Sequence, residues 1–578
     1  MLTTNFMTRL CKMTFNRLLI LGAALTCAAS CIYVDDNLGK NFVPSNQIYE
    51  IRTATIPLDC IEMELSDSLS AYSSSRITIG AVRDGIFGLT RRSSAFTVVP
   101  VDDTIDVGTN TRIRQFHFTF AKDTLSFSDP LQKNIIQNVN VYELEKRLDS
   151  TYTYTFDLKD SDFAGKDRIT SGSPTYNGGD SLSFDMSKTY AQKYIDLFKE
   201  DPDIQLDLTE YLKKIPGIYL NVDAPLNDGG RINMFRVGID VSDSYYVTGN
   251  YAELKITADY GTRENVDTSF LFYFGPAERT ATTSQYAFNV SSTESGNVNP
   301  DPDNAIYIEG GPGYKPVVKA RKLRDALLAE LQKATDKDGN PLNLNPEDVI
   351  INKARLIFPY EFESAEKMDL YPAVLSPTCK ISTKITPDEG EPYQYVTYAG
   401  LTDASVESEN QGDINRSLCC YTPDVSHHVQ EIIRLTDNGL AEKEKSYSDY
   451  DIWMLVMAYE TIQSSNSSSS DMSDYYQNLA YLNYYNNLYN GYGGYGYGGY
   501  GYGYGGYGGY GYGSYGYDNY YNYYLASMYA SAGTSSTTSS TALMLDKDRY
   551  YAARIKGLTD SEGPRIELVY SYTVKDLE

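Results

Sequence analysis

From about Tyr49 to Leu148 the chain is a series of short segments rich in β-branched and aromatic residues, separated by polar turns: "RITIGAV", "SAFTVV", "IRQFHFTF" and "NVNVYEL". Such segments predict strands, because successive side chains in a strand point to opposite faces and a half-buried strand is apolar at every second place. In "IRQFHFTF", Ile113, Phe116, Phe118 and Phe120 stand nearly in period two, with His117 on the other face. The period then changes. "SKTYAQKYIDLFKE" from Ser187 places Tyr190, Tyr194, Ile195 and Phe198 at helical spacing, and "DLTEYLKKI" sets Leu208, Tyr211 and Leu212 on one side with Asp207 as cap. Strands resume in "GIYLNVD", "INMFRVGIDV", "AELKITADY" and "TSFLFYFG". "KARKLRDALLAELQKA" then carries a helical stripe of Leu323, Leu327, Leu328 and Leu331. Two more strands follow: "DVIINKARLIFPYEF", closed by Pro359, and the continuously apolar "YDIWMLVMAY".

Many strands with a few short helices, and no alternating βαβ units, predict a mainly β fold (β-rich α+β) of antiparallel, sandwich-like sheets. One long insertion interrupts it. "SSNSSSSD" marks its exit and "GTSSTTSS" its return, and between them residues 491–517 are almost wholly glycine and tyrosine. This tract has no large aliphatic residue to build a core, ordering its glycines is costly in entropy, and its irregular register would flip the tyrosines between faces. It is expected to be disordered. Its flanks, from Asp474 and from Asp518, have helical spacing. The expected organisation is a leader over 1–30, an N-terminal β-rich region over 31–165, a second β-rich region with short helices over 166–463 plus 542–578, and the low-complexity insertion over 464–541.

The formal charge of −26 across 578 residues argues against nucleic acid as a partner, since phosphate contacts need an excess of basic side chains. Beyond residue 31 the cysteines are Cys60, Cys379, Cys419 and Cys420, too few for a disulfide framework in so long a chain; which of them pair is left open. "CCYTPDVSHH" invites a metal reading, but the stretch from Pro423 reads as a helix start capped by Ser426 or Asp424. Consecutive His427 and His428 would not share a face there, and the spacing fits no zinc pattern. "DPDNA" at 301–305 and "DKDGN" at 336–340 could bind calcium but have the composition of turns. No nucleophile elbow, phosphate loop or dinucleotide fingerprint is present. A pair of catalytic carboxylates cannot be picked out in a chain this rich in them. No cofactor is expected.

The N-terminus places the protein. Arg9, Lys12 and Arg17 precede an apolar run from Leu18 to Leu25 and a small-residue end, the form of a secretory signal peptide; the run is too short to span a bilayer, which takes ~20 apolar residues. "AASC" resembles the lipobox of bacterial lipoproteins. That resemblance implies cleavage before Cys31, a thioether from its thiol to a diacylglycerol, and two or three acyl chains such as palmitate that give firm attachment to a membrane. Asp35 and Asp36 resemble the signal that sends Bacteroidota lipoproteins to the outer face of the outer membrane. An outer-membrane lipoprotein is expected, surface-exposed or periplasmic.

The order of "DDNLGKNFVPSNQIY", "SAYSSSRITIGAVRDGIFG", "IPGIYL" at 215–220, "IYIEGGPG" at 306–313, "IINKARLIFP" at 350–359 and "RIELVYSYTV" resembles a family of Bacteroidota lipoproteins catalogued only as domain of unknown function 4270. The resemblance implies an exported β-rich lipoprotein and supplies no catalytic residues. "DTI" at 103–105, "DTL" at 123–125 and "DSL" at 67–69 and 180–182 resemble the acceptor of Bacteroidota O-glycosylation. Candidate binding residues are the tract's tyrosines, Tyr492, Tyr495, Tyr497, Tyr500, Tyr502, Tyr504, Tyr507, Tyr510, Tyr512, Tyr515 and Tyr517. Their rings stack on sugars, on other rings and on cations, and repeated weak contacts add through avidity. The expected function is non-enzymatic binding or adhesion by a lipid-anchored envelope protein, to a glycan, a surface or other copies of itself. A glycan-capturing or glycan-degrading surface component and a pilin-like subunit are the alternatives.

Overall fold

Each alternating segment quoted above forms a strand in the computed structural model, and every strand pair described is antiparallel. The structure describes residues 49–573 apart from 67–68, 70, 72–75, 125, 129–134, 149–163, 237–238, 242–246, 275–289, 295–300, 337, 386–391, 402–411 and 464–538. The mainly β fold class is as expected.

Two apolar cores organise these strands. In the first, a five-stranded sheet (Ser181–Asp185, Thr109–Ala121, Tyr251–Tyr260, Arg263–Phe274 and Val98–Pro100, in that order) faces a nine-stranded sheet that includes Arg76–Asp84, Gly88–Phe96, Gln137–Leu144, Ile218–Val222 and Gly229–Arg236. Phe116, Phe118, Phe120, Phe272 and Phe274 fill the space between them. The strand Thr109–Ala121 shows why its apolar positions are only nearly in period two. Gln115 faces Lys255 but Ile113 faces Ile256, so Arg114 is an extra residue at a β-bulge and the alternation changes phase there. His117 lies on the solvent side, as expected.

Among the described residues the helices that the spacing predicts all form, and two short ones that it does not predict, Ala365–Met368 and Asp437–Glu442, join them. Lys188–Glu200 is capped by Ser187, which accepts the Tyr190 N–H, and buries Tyr190, Tyr194, Ile195 and Phe198 in the first core. Leu208–Lys214 is capped by Asp207, which accepts the N–H groups of Thr209 and Glu210. The cap of Ser426–Arg434 differs from the expectation. The residue before the helix is Val425, Asp424 accepts the Ser426 N–H, and the Ser426 hydroxyl accepts the Ala354 N–H of a neighbouring strand instead of capping its own helix.

The second core lies between a six-stranded sheet and another five-stranded sheet. The six-stranded one contains Ile61–Leu65, Tyr314–Val318, Ile452–Gln463, Val374–Ile385 and Tyr393–Gly400 in that order, with Ser539–Leu545 beside Ile452–Gln463. The five-stranded one begins Tyr49–Pro57, Arg565–Thr573 and Val349–Pro359, and the helices Ala320–Leu331 and Ser426–Arg434 are packed in with it. The division expected at residue 165 does not match these cores. Gln137–Leu144 pairs with Ile218–Val222 inside the first, while Ile56–Ile61 belongs to the second with residues beyond 305.

The two bodies share a seam. Ala95, Leu144 and Tyr219, on the far face of the nine-stranded sheet, meet Val317, Tyr398, Trp453 and Leu455 of the six-stranded sheet. Both sheets are therefore covered on both faces there, which explains why "YDIWMLVMAY" is apolar without alternation: Ile452, Met454 and Val456 face the second core and Trp453 and Leu455 the seam.

Phe118 is wholly buried, with ring centroids 5.8 Å from Phe184 and 5.3 Å from Phe274. Phe118→Ala is expected to cost ~3–5 kcal/mol in urea unfolding. A loss below ~1 kcal/mol would show that the sandwich is not closed by these rings.

Candidate functional site

The insertion leaves from the middle of the six-stranded sheet. Ile452–Gln463 carries the chain out and Ser539–Leu545 brings it back as the neighbouring strand, with Gln463 opposite Ser539 in register. The strand thus resumes a few residues before the expected return at 542. Cys31, the leader, the helices expected from Asp474 and Asp518, and the tyrosines from Tyr492 to Tyr517 all lie outside the described residues.

Just beyond the returning strand the chain is held by a buried charged cluster. Asp546 donates its N–H to the Val456 carbonyl, accepts the Arg549 N–H and the Tyr551 hydroxyl, and so turns the chain toward the first body. There Arg92, on the nine-stranded sheet and 1% exposed, donates to the carbonyl of Lys547 at 2.6 Å and to that of Arg549 at 3.4 Å. Asp548, also buried, adds negative charge beside the guanidinium.

The turn "EGGPGYK" at 309–315 closes this cluster. Gly311 has φ +59°, and a Cβ there would stand 2.8 Å from an Arg92 nitrogen; a Cβ on Gly310 would lie 2.3 Å from the Arg549 carbonyl. Only glycine lets the turn come this close. The Lys315 ammonium donates to the carbonyls of Gly311 and Gly313, Ser66 donates to the same two, and Glu309 accepts the Tyr314 N–H. Burial pushes the Lys315 amine down to about 7, against the pull of Glu309, and burial raises the carboxyls of Glu309 and Asp548. The cluster is sealed from solvent, and its groups are turned on one another and on the backbone. It clamps the base of the insertion to both bodies. In the sequence "IYIEGGPG" stands out only as a motif of resemblance; the signal for the cluster is a lysine in the strand "YKPVV" directly after a glycine turn.

The residues singled out for chemistry are dispersed. His117 lies 2.7 Å from Asp185 on the open face of the outer sheet. His428 is buried, with Nε2 2.9 Å from the Tyr450 carbonyl and 3.8 Å from the Cys379 sulfur, while His427 is exposed on the opposite side of the helix. Burial drives the Cys379 thiol up to about 12 and lowers the His428 imidazole, the reverse of what a thiolate–imidazolium pair requires. Cys60, Cys379, Cys419 and Cys420 are all free thiols. Among the described residues no group of three or more His, Cys, Asp or Glu side chains is placed to hold a metal, and no helix is long and apolar enough to cross a membrane.

Asp336 accepts the N–H groups of Asp338 and Asn340, and Asp301 the Asn304 amide; both segments are turns. In the motifs that resemble glycosylation acceptors, Thr104, Thr124 and Ser181 are exposed. Two open hollows, of about 340 Å³ beside Leu226 and about 390 Å³ beside Phe198, each have a single carboxylate in their lining, Asp223 and Asp106 respectively. Neither offers the facing pair that glycoside hydrolysis uses. Compared with known proteins, the chain matches no family model, no curated protein and no solved structure.

The buried amine gives the clamp a pH signature. Because Lys315 titrates near 7 in the folded protein against an ordinary 10.5, the unfolded chain binds more protons between those values, and this residue's contribution to stability rises with pH across that window. The stability difference between wild type and Lys315→Met is expected to shift in favour of wild type from pH 7 to pH 10, by at most ~1.4 kcal/mol per unit. Denaturant unfolding at several pH values measures it; a difference independent of pH would mean that Lys315 is charged throughout.

Proposed function

We propose that this is a non-enzymatic, lipid-anchored protein of the outer membrane whose β-rich body presents the tyrosine–glycine insertion for weak, multivalent binding. The observation that carries the reading is the base of the insertion. Its two ends leave from register-paired neighbouring strands, and the outgoing strand is buried on both faces over residues 452–458, with the chain clamped just behind the return. A segment joined in this way can differ in length or sequence without disturbing the body, since closure entropy grows only logarithmically with loop length. Cys31 would supply the membrane attachment, and the tyrosines the contacts: glycan hydroxyls and rings, a surface, or the tracts of other copies. The resemblance of its motif order to the exported lipoproteins catalogued as domain of unknown function 4270 favours the envelope placement.

Protease treatment of intact native-host cells, followed by probing for the tract, tests the exposed form of this reading. Loss of the tract while a periplasmic control survives is the expected result. Deleting residues 491–517 is expected to leave the thermal transition of the body within about 2 °C of wild type, a shift well under 1 kcal/mol, while binding of cells to glycan-coated surfaces falls. Unchanged binding after deletion would remove the tract from the function.

A further inference from the structure

One polar cluster in the second body is arranged for a covalent step. Lys319 follows the strand Tyr314–Val318 and Asp451 precedes Ile452–Gln463, and these strands pair with Val318 opposite Ile452, so the two side chains stand side by side at the strand ends. The Lys319 Nζ is 2.8 Å from Asp451 Oδ2, and it also donates to Glu64 Oε1 on the neighbouring strand Ile61–Leu65. The other Asp451 oxygen, Oδ1, accepts the backbone N–H of Ala320 at 2.8 Å. The Asp451 side chain is 6% exposed and that of Lys319 22%.

An amine, a carboxyl, a second carboxylate touching the amine, and a backbone donor on the carbonyl oxygen are the components of acyl transfer without a cofactor. We propose that Lys319 and Asp451 form an intramolecular amide (isopeptide) bond, with Glu64 as proton carrier. Glu64 takes a proton from the ammonium. The freed amine lone pair attacks Asp451 Cγ while the Ala320 N–H stabilises the developing oxyanion on Oδ1. Glu64 passes that proton to Oδ2, which leaves as water, and takes a second proton from the nitrogen, so the products are a neutral amide, one water and a protonated Glu64. One C–N bond forms, one C–O bond breaks and one water is released, with no oxidant or activating group required.

The protonation states set the pace. Burial holds the Asp451 carboxyl above its ordinary range despite Lys319, which favours the neutral, electrophilic acid. Burial also opposes the Lys319 ammonium, but the hydrogen bonds to Asp451 and Glu64 outweigh it and hold that group charged. Proton removal by Glu64 is therefore required before the amine can attack. Glu62 lies 3.9 Å from Lys319 and is paired with Lys322 at 2.8 Å, so it keeps a cationic partner when Lys319 loses its charge.

The bond would join the strand that leads into the insertion to the one beside the N-terminal strand Ile61–Leu65. If the insertion binds and Cys31 anchors, as proposed above, tension between them runs through this junction. That role rests on the proposed function; the bond itself does not.

Intact mass spectrometry of the full chain from native-host cells, and of purified protein held folded for days, tests the bond directly. The expected result is a molecule one water lighter than its processed sequence, a digest peptide joining Lys319 to Asp451, and the full mass for Lys319→Arg and Glu64→Gln. The full mass for folded wild type would overturn the proposal. So would a water loss that maps to an Asp–Gly step such as Asp338–Gly339, where a succinimide has the same mass. Neither result depends on where the protein sits or what it binds.

Discussion

The burial of Arg92 is the constraint around which the two bodies are joined. A guanidinium taken out of water is costly unless its donors are met, and an unpaired buried charge costs several kcal/mol. Here its acceptors are main-chain carbonyls of a segment that has just returned from the insertion, far away in sequence. The first body therefore completes its second face only when the C-terminal part of the chain has folded back on it. The same pairing explains the glycines at 310 and 311, which leave room for the Arg549 carbonyl and the Arg92 side chain. It also places the buried Lys315, which donates hydrogen bonds to carbonyls of the tight turn.

The seam combines this polar clamp with a modest apolar patch around Trp453 and Tyr219, whereas each body has an extensive core of its own. Apolar burial holds the bodies individually together, and directional hydrogen bonds fix how they dock, since a misplaced docking would leave Arg92 buried without its acceptors at Lys547 and Arg549. The division of labour is consistent with the chain order. The strands Tyr49–Pro57 and Ile61–Leu65 belong to the second body although they precede the first, so the first body is enclosed in sequence by the second.

Local structure was legible because it depends on local pattern. The stripe on Ala320–Leu331, the caps at Ser187 and Asp207 and the run of strands follow from side-chain spacing alone, and even the irregular phase at Ile113 had a local cause, the bulge at Arg114. What was not legible depends on partners far apart in the chain. Ser426 reads as a helix cap by type, but the Ala354 N–H competes for its hydroxyl. A boundary near 165 reads well by composition, yet Gln137–Leu144 finds its partner at Ile218–Val222. Lys315, Lys319 and Asp451 look like ordinary surface charges until the pairing of Tyr314–Val318 with Ile452–Gln463 brings them inward.

The same dependence bears on the insertion. Low-complexity sequence is tolerated in a folded chain where its two ends are already held together by other interactions, because the body then folds as if the segment were a short turn. The pairing of Ile452–Gln463 with Ser539–Leu545 supplies that condition on one side, and the Asp546–Arg92 clamp reinforces it immediately behind the return. The outgoing strand is also bonded on both edges and covered on both faces over its first half, whereas its second half, residues 458–463, pairs among the described strands with the returning strand alone. The binding role proposed above therefore places no demand on the insertion's own sequence to keep the body folded, because the body closes through the paired strands and the clamp behind them.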